Sequence, residues 1–529
     1  MSRRLLLVLV GALLLVRLPS LVQPMGPDQG LYAYVGERIL HGELAYRDAW
    51  DQKPPGIHYL YAALRGISSR DAVVPAADLL AAGLVAALLW RLGARVGGPM
   101  AGGLSAALFL LLSDPGFARY GGVRVRAQCE TFIALAVTAA LALVVNRGEH
   151  DPHSARNDVR ARRLALLAAG LLIGAAFSLK YNAGVYGAVV LIAIAMTATL
   201  TIADGMRIVA GGLVLPSILL LVFWHGGALD DLYQATIAYN LQYSGETYAT
   251  RWDMLSYLIQ FPLRHARVDP LWFAGGLGCI ALAIGGVRQR ILWLPVAWVG
   301  TACLSIAING SRELPQYFLQ AAPALALAAG VAAATTLRRL PTGARTVAVL
   351  LVCYATWRVG DDPFPQKLAR TVWHDTQYAL GRTDLRTHLS RYGGARGVEK
   401  YSATQNRDLG EFLKTRTRPG ETVYVFGFSP GSYVYSERPS ASRFFWSRPV
   451  IVGFNHDRPG YGVSGLLEDL RRHPPAIVAL QQRDWFPDVD DSAHFFKGNL
   501  PLAGWLRASY ERVAGPAGFD VWVRRPDRP

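Results

Sequence analysis

The sequence predicts a polytopic α-helical membrane protein of about eleven spans followed by a C-terminal extracytoplasmic α/β domain. Three observations predict it. The 529-residue chain is 52% hydrophobic and 17% charged, with a mean hydropathy of +0.23, outside the usual balance of a soluble protein. Runs of Leu, Ala, Val and Ile recur up to about Trp357. From about Gly360 short strand and helix patterns take their place. The division is therefore a transmembrane domain over 1–358 and a soluble extracytoplasmic domain over 359–529.

A bilayer core of roughly 30 Å needs about 20 apolar residues per helix. That ruler places spans at Leu5–Val22, Ala72–Leu92, Pro99–Leu112, Gln128–Val145, Leu164–Leu179, Gly184–Ala203, Ile208–Trp224, Leu271–Gly286, Ile291–Asn309, Gln316–Leu337 and Thr346–Trp357. Arg17 interrupts the end of the first span and no small-x-small site follows, so it reads as a retained helix rather than a signal peptide. The basic loops, including Arg3 with Arg4, Arg147 to Arg163, and Arg338 with Arg339, mark the cytoplasmic side. The long loops at 23–71 and 226–270 then face outward, as does the C-terminal domain. With the abundance of Arg, Ala and Gly and the scarcity of Lys that fit a GC-rich bacterium, this orientation predicts a multi-pass protein of a bacterial inner membrane.

The net charge of +16 does not point to nucleic acid, because the arginines are scattered and no basic face with interleaved aromatics is evident. Only six of the 54 basic residues are lysines. Cys129, Cys279, Cys303 and Cys353 all fall in apolar runs, without metal-ligand spacing. In the soluble part Thr422–Phe426, Ala476–Leu480 and Val521–Val523 read as strands, and Asp408–Thr415 and Gly465–Arg472 as helices.

The densest chemistry follows the first span: Asp28-Gln29-Gly30-Leu31-Tyr32, then Gly42 to Asp48 with Tyr46, then Asp51-Gln52-Lys53-Pro54-Pro55. Tyr32, Val35, Ile39 and Leu40 at helical spacing predict an amphipathic helix lying along the bilayer. Group transfer from a phosphate leaving group needs an acceptor for the proton of an incoming hydroxyl and a cation for the departing phosphate. Asp28 and Lys53 fit those roles. Asp28 also fits a Pro-Asp-Gln-Gly turn, and Lys53 a snorkelling interfacial cation. Only Lys53 and Lys180 occur in the membrane part, both at its outer boundary.

The ordered pattern of Asp28, Tyr32, Gly42 to Asp48 and Lys53 to Pro55 resembles the GT-C class of glycosyltransferases, such as lipid A aminoarabinose transferases and bacterial relatives of protein O-mannosyltransferases. Ala127 to Phe132, Lys180 to Asn182, Arg312 to Tyr317 and Val425 to Pro430 extend it. The resemblance implies a GT-C-like fold and an inverting hexosyl or pentosyl transferase. The activity it implies is transfer of sugar from a polyprenyl-phosphate carrier to a glycan, lipid or protein hydroxyl. It implies Asp28 as the catalytic carboxylate and Lys53 as the carrier-phosphate ligand, with Arg126 and Lys180 assisting. Gln29, Tyr32, Tyr46, Asp48, Asp114, Glu130, Arg312 and Tyr317 stand as supporting residues. Gln29 replaces the Glu of many members, so a divalent metal at Asp28 would lack the second carboxylate, and no cofactor is implied with certainty.

Other polar residues have plainer readings. Asp114, Arg119, Arg124 and Arg126 form a second outer loop, and Glu130, one turn after Arg126, is expected to pair with it. Arg251, Arg264 and Arg267 suit lipid headgroups. His58 reads as interfacial, and Tyr59, Tyr61, Trp90, Trp224 and Trp272 as an aromatic belt. Trp446 reads as a core aromatic between surface arginines Arg443 and Arg448. The rival function is a transporter or flippase of polyprenyl-linked sugars, which would place charges near the membrane midplane.

Overall fold

The computed structural model describes residues 3–115, 125–145, 155–245, 247–285, 289–310, 312–339, 341–359, 364–393, 401–484 and 491–526. Arg119 and Arg124 lie outside the described residues. The N-terminal part is helical throughout. Helices α1 (Arg3–Arg17), α2 (Pro27–Leu40), α3 (Gly56–Ile67), α4 (Val73–Gly97), α5 (Pro99–Leu112), α6 (Cys129–Val144), α7 (Ala155–Leu179), α8 (Tyr186–Thr197) and α9 (Ile202–His225) come first. They are followed by α10 (Leu229–Tyr233), α11 (Tyr239–Gly245), α12 (Arg251–Ala266), α13 (Pro270–Gly285), α14 (Leu294–Ile308), α15 (Ala322–Arg339) and α16 (Thr342–Arg358).

Each of the eleven apolar segments contains helix, although Gly184–Ala203 runs past the end of α8 at Thr197 into the start of α9. Among the described residues six helices are long and apolar enough to cross a membrane unaided, and a seventh crossing forms if α12 and α13, bent by 114°, count as one. The segments at α5, α6 and α8 are shorter apolar helices. The protein is a polytopic membrane protein. Without a hydrophobic force between helices in lipid, close backbone packing supplies the cohesion. Between α7 and α9, a Cβ added at Gly174 would lie 2.1 Å from the Gly212 carbonyl oxygen.

The C-terminal part contains α17 (Phe364–Ala379), α18 (Leu385–Leu389), α19 (Ala403–Arg416), α20 (Gly431–Ser436), α21 (Arg448–Ile451), α22 (Gly462–Arg472), α23 (Ser492–Gly498) and α24 (Leu500–Ser509). They surround a four-stranded sheet of order β1-β2-β4-β3, comprising β1 (Val423–Phe426), β2 (Ile477–Gln481), β3 (Tyr510–Val513) and β4 (Phe519–Arg524). β1 and β2 are parallel and the other pairs antiparallel. β1 and β2 are fully buried and apolar but for Gln481 at the end of β2, the pattern of strands covered on both faces. β3 was not expected: as an edge strand it exposes Glu511 and Arg512, so its sequence lacks an apolar signature.

The loop at 23–71 meets the C-terminal part at one end of the bundle. Trp50, fully buried, packs on Phe444, Trp446 and Phe454, and the Trp446 indole donates to the Trp50 carbonyl at 3.0 Å. Arg443 pairs with Asp231 at 3.0 Å, and the Tyr435 hydroxyl donates to Asp71 at 2.9 Å. Trp446 and Arg443 therefore belong to the seam between the two parts.

Three expectations are corrected. Helix α2 does not lie on a membrane surface: residues 29–36 are all buried, because α3 covers one side and α20 with Tyr433 and Phe445 the other. His58 is fully buried between Tyr32 and Tyr46, with its Nε2 3.2 Å from Asp51 Oδ2. In the expected belt Tyr61 and Trp272 are buried, and the Tyr61 hydroxyl donates to the Ala127 carbonyl at 3.0 Å, whereas Trp224 is exposed.

The packing of α2 on α3 gives a direct prediction. A Cβ at Gly36 would lie 2.7 Å from the Ala62 nitrogen, a backbone atom that cannot turn aside. Gly36→Ala is expected to lower stability by about 1–3 kcal/mol through forced separation of the helices. Thermal unfolding of the detergent-solubilised protein, compared with the wild type, checks this; an unchanged Tm would show that the two helices are not in such contact.

Candidate active site

The segment between α2 and α3 is held at both sides of Lys53. The Tyr46 hydroxyl donates to the Lys53 carbonyl at 2.7 Å, and the Asn240 amide donates to the Gln52 carbonyl at 2.7 Å. Tyr46 itself sits at φ 71°, an uncommon conformation for a bulky residue, within a turn closed by Tyr46 N–H to the Ala49 carbonyl. Pro54 and Pro55 then lead rigidly into α3. Held this way, Lys53 lines a cavity of about 260 Å³ together with Lys180, Asn240, Tyr243, Asn309 and Tyr317.

The two lysines of this cavity differ. Lys180 Nζ is 2.5 Å from Glu130 Oε1 and 4.1 Å from the centre of the Tyr317 ring, so its charge is already neutralised. Lys53 makes no ion pair within 4 Å among the described residues. Two further polar atoms of the lining, Gln52 Oε1 and Asn309 Nδ2, are buried without a hydrogen-bond partner. An unpaired ammonium and an unused amide donor are suited to anionic oxygens.

Asp28 stands in the first turn of α2, where the helix dipole favours an anion. Gln316, beside Tyr317, donates to its Oδ2 at 3.3 Å. Burial pushes the Asp28 carboxyl above its ordinary value, and the Lys53 charge opposes that rise. For Lys53, burial disfavours the charged form, but Tyr317 and Asp28 outweigh it, so its ammonium is held protonated. A carboxylate and a free cation thus share one electrostatic site.

The remaining expected residues are distributed around this centre. Gln29 donates to the Arg126 carbonyl at 2.6 Å and the Tyr32 hydroxyl reaches Gln128 at 3.5 Å, so both fix α2 to the start of α6. Arg312 stacks on the Tyr243 ring at 3.7 Å and donates to the Tyr243 carbonyl at 3.3 Å, backing one wall of the cavity. Asp48 caps its own turn, accepting from Leu44 N–H at 2.8 Å and pairing with Arg47.

Arg126 and Asp114 are not brought to the cavity. Arg126 pairs with Asp78 at 3.2 Å and donates to Gln23, while Asp114 lies 3.3 Å from Arg17. The expected Arg126–Glu130 pair is replaced by Arg126–Asp78 and Glu130–Lys180. The reason is local: Ala127 takes φ 47° and α6 begins only at Cys129, so residues 126 and 130 do not share a helix face. Arg264 pairs with Glu313 at 2.8 Å.

Sequence reasoning did not single out Gln52, Asn240, Tyr243 or Asn309. The aromatic and amide residues of Tyr239-Asn240-Leu241-Gln242-Tyr243 in the second long loop were the available signal. Asp51 and His58 were also missed as a buried pair. Among the described residues no three His, Cys, Asp or Glu side chains are grouped so as to hold a metal.

No protein-family model matches the chain, and no curated protein matches it in sequence. Solved structures do match in fold. ArnT from Cupriavidus metallidurans bound to undecaprenyl phosphate is 16% identical with a TM-score of 0.59, covering 100% of this chain and 99% of that one. The apo form of the same protein is 18% identical with a TM-score of 0.53, over 98% and 97%. The oligosaccharyltransferase AglB from Archaeoglobus fulgidus, in complex with an inhibitory peptide and a dolichol-phosphate, is 13% identical with a TM-score of 0.52, over 99% and 75%. With its helical bundle, folded outer loop and small C-terminal sheet, this chain has the GT-C fold.

Proposed function

We propose that this protein is a glycosyltransferase that takes a hexosyl or pentosyl group from a polyprenyl-phosphate carrier. The acceptor is a glycan, lipid or protein hydroxyl at the outer face of a bacterial inner membrane. The observation that carries this reading is the Lys53 ammonium, free of any ion pair among the described residues, in a cavity where the Asp28 carboxylate acts on it through charge. The ArnT and AglB structures, which hold undecaprenyl phosphate and dolichol-phosphate, support it through their common fold.

The chemistry follows from the two charges. Asp28 accepts the hydrogen bond, then the proton, of the acceptor hydroxyl as its oxygen bonds to the anomeric carbon. The bond from that carbon to the carrier phosphate breaks with inversion, and the electron pair stays on the phosphate oxygen. Lys53 and the Asn309 amide stabilise that charge. A phosphate leaving group needs no separate general acid. Arg126, Lys180 and the other supporting residues act through the scaffold: Lys180 through Glu130 and Tyr317, Arg126 through the Gln29 contact to its carbonyl.

The test is transfer of labelled sugar from synthetic polyprenyl-phosphate donors by the purified protein in lipid nanodiscs. Appearance of labelled product or free carrier phosphate is expected. Binding of carriers with movement across the bilayer of a liposome, but no bond cleavage, would replace this reading with the transporter.

A further inference from the structure

The turn that carries Lys53 is bridged by a side-chain contact that the proposed chemistry leaves unused. Asp51 and His58 flank the turn, with Gln52, Lys53, Pro54 and Pro55 between them. Both are buried, at 2% and 0% exposure, and His58 Nε2 lies 3.2 Å from Asp51 Oδ2. Each end is anchored. Next to Asp51, the Trp50 N–H donates to the Arg443 carbonyl at 2.8 Å. His58 stands in the first turn of α3, with its N–H 3.1 Å from the Pro55 carbonyl. That turn is pressed on the end of α7, because a Cβ at Gly56 would lie 2.6 Å from the Ser178 carbonyl oxygen.

The imidazole also joins the two halves of the site. Its ring meets Tyr32 and Tyr46 edge-on, at 5.9 Å between centroids in each case. Tyr46 is the side chain that donates to the Lys53 carbonyl, and Tyr32 follows Asp28 by one turn of α2. The Asp51 charge acts on both Asp28 and Lys53. A contact between Asp51 and His58 therefore fixes the turn of the lysine against the helix that carries the carboxylate.

Stability does not account for the pair. A buried ion pair can often be replaced by apolar side chains of similar volume without loss of stability. This pair is also incompletely satisfied: Asp51 Oδ2 and both ring nitrogens of His58 are buried without a hydrogen-bond partner among the described residues. The 3.2 Å approach is close enough for a hydrogen bond but is not aligned as one. Hydrogen bonds that serve catalysis are often misaligned in a free enzyme and tighten when substrate is bound.

We infer that Asp51 and His58 are positioning residues of the proposed transferase, holding the Lys53 ammonium at its working separation from the Asp28 carboxylate. The role rests on the transferase reading; the buried contact does not. As the carrier phosphate draws on Lys53, the contact between Asp51 and His58 closes into a hydrogen bond that keeps the ammonium in place. Both residues act through Lys53 and touch no reacting atom.

The test is the single-turnover rate of sugar release from a polyprenyl-phosphate donor by the full-length protein in nanodiscs, in wild-type and Lys53→Ala backgrounds. In the wild type, His58→Gln and Asp51→Asn should each lower the rate about 10²-fold, the cost of a misplacement of roughly 1 Å. Together they should cost no more than either alone. In Lys53→Ala each should change the rate by less than about two-fold, because the group they place is gone. His58→Phe keeps a ring between the two tyrosines without the nitrogens, and should lose as much as His58→Gln with an unchanged Tm. A wild-type rate in His58→Phe, or losses of equal size in both backgrounds, overturns the inference, since only packing would then matter. If the wild type binds undecaprenyl phosphate but cleaves no donor, the transferase reading fails and the same comparisons on carrier affinity decide whether the pair places Lys53. A loss of about ten-fold in the wild type and none in Lys53→Ala then upholds that placement, and any other pattern overturns it. A wild type that neither cleaves donor nor binds carrier ends both readings.

Discussion

Lys53→Ala lowers kcat/KM for sugar transfer by about 10²–10³-fold, the range found when one preorganised donor to a developing oxyanion is removed. Two features make the expected loss large. The ammonium makes no ion pair within 4 Å among the described residues, so its charge is not neutralised by a neighbouring carboxylate. Its backbone is fixed on both sides by Tyr46 and Asn240, so no other cation swings into its place; Lys180 is held by Glu130 at 2.5 Å. Single-turnover rates on a polyprenyl-phosphate donor, with circular dichroism as the folding control, measure the effect. Lys53→Arg should recover part of the loss by keeping the charge. A Lys53→Ala protein with wild-type turnover would remove Lys53 from the mechanism.

Asp28→Asn lowers kcat by about 10²–10⁴-fold, the usual contribution of a positioned general base, with little effect on carrier binding. The amide keeps the shape and can still meet Gln316, but it cannot take a proton. The pH profile provides a second readout. Burial raises the Asp28 carboxyl above its ordinary 3.8, and the carboxylate is the working form. Activity is therefore full above the raised value and is lost as pH falls through it. The acidic limb should lie above 3.8 in the wild type and be absent from the residual activity of Asp28→Asn. A wild-type limb unchanged in the variant would assign the titration to another group.

The Asp51–His58 pair is buried, with His58 between Tyr32 and Tyr46, and the Asp51 charge adds to the field at Asp28 and Lys53. Neither residue was separable by sequence from an ordinary loop carboxylate and an interfacial imidazole. Burial on all sides, which only the packed loop creates, is what distinguishes them.

The apolar segments were legible from the sequence because membrane crossing imposes a length and a composition that need no tertiary partner. The strands β1 and β2 were legible because Val423–Phe426 and Ile477–Leu480 are short runs of apolar and aromatic residues. The polar pattern from Asp28 to Lys53 was visible as a block, and Lys180 stood out because lysine is scarce in this chain. What that pattern could not specify was which charge stays free. Lys53 and Lys180 look alike in sequence; Glu130, fifty residues from Lys180, decides between them by neutralising one. Likewise Arg126 was drawn to Asp78 rather than to Glu130 or the cavity, by a backbone turn at Ala127 that no helical spacing foretold. The sequence alone determined the membrane class, the two-part division of composition and the stretch of loop that carries the chemistry. Only the tertiary structure decided the burial of α2 between α3 and the C-terminal part, the pairing of each charge and the cavity around Lys53, because these depend on contacts between residues from tens to hundreds of positions apart.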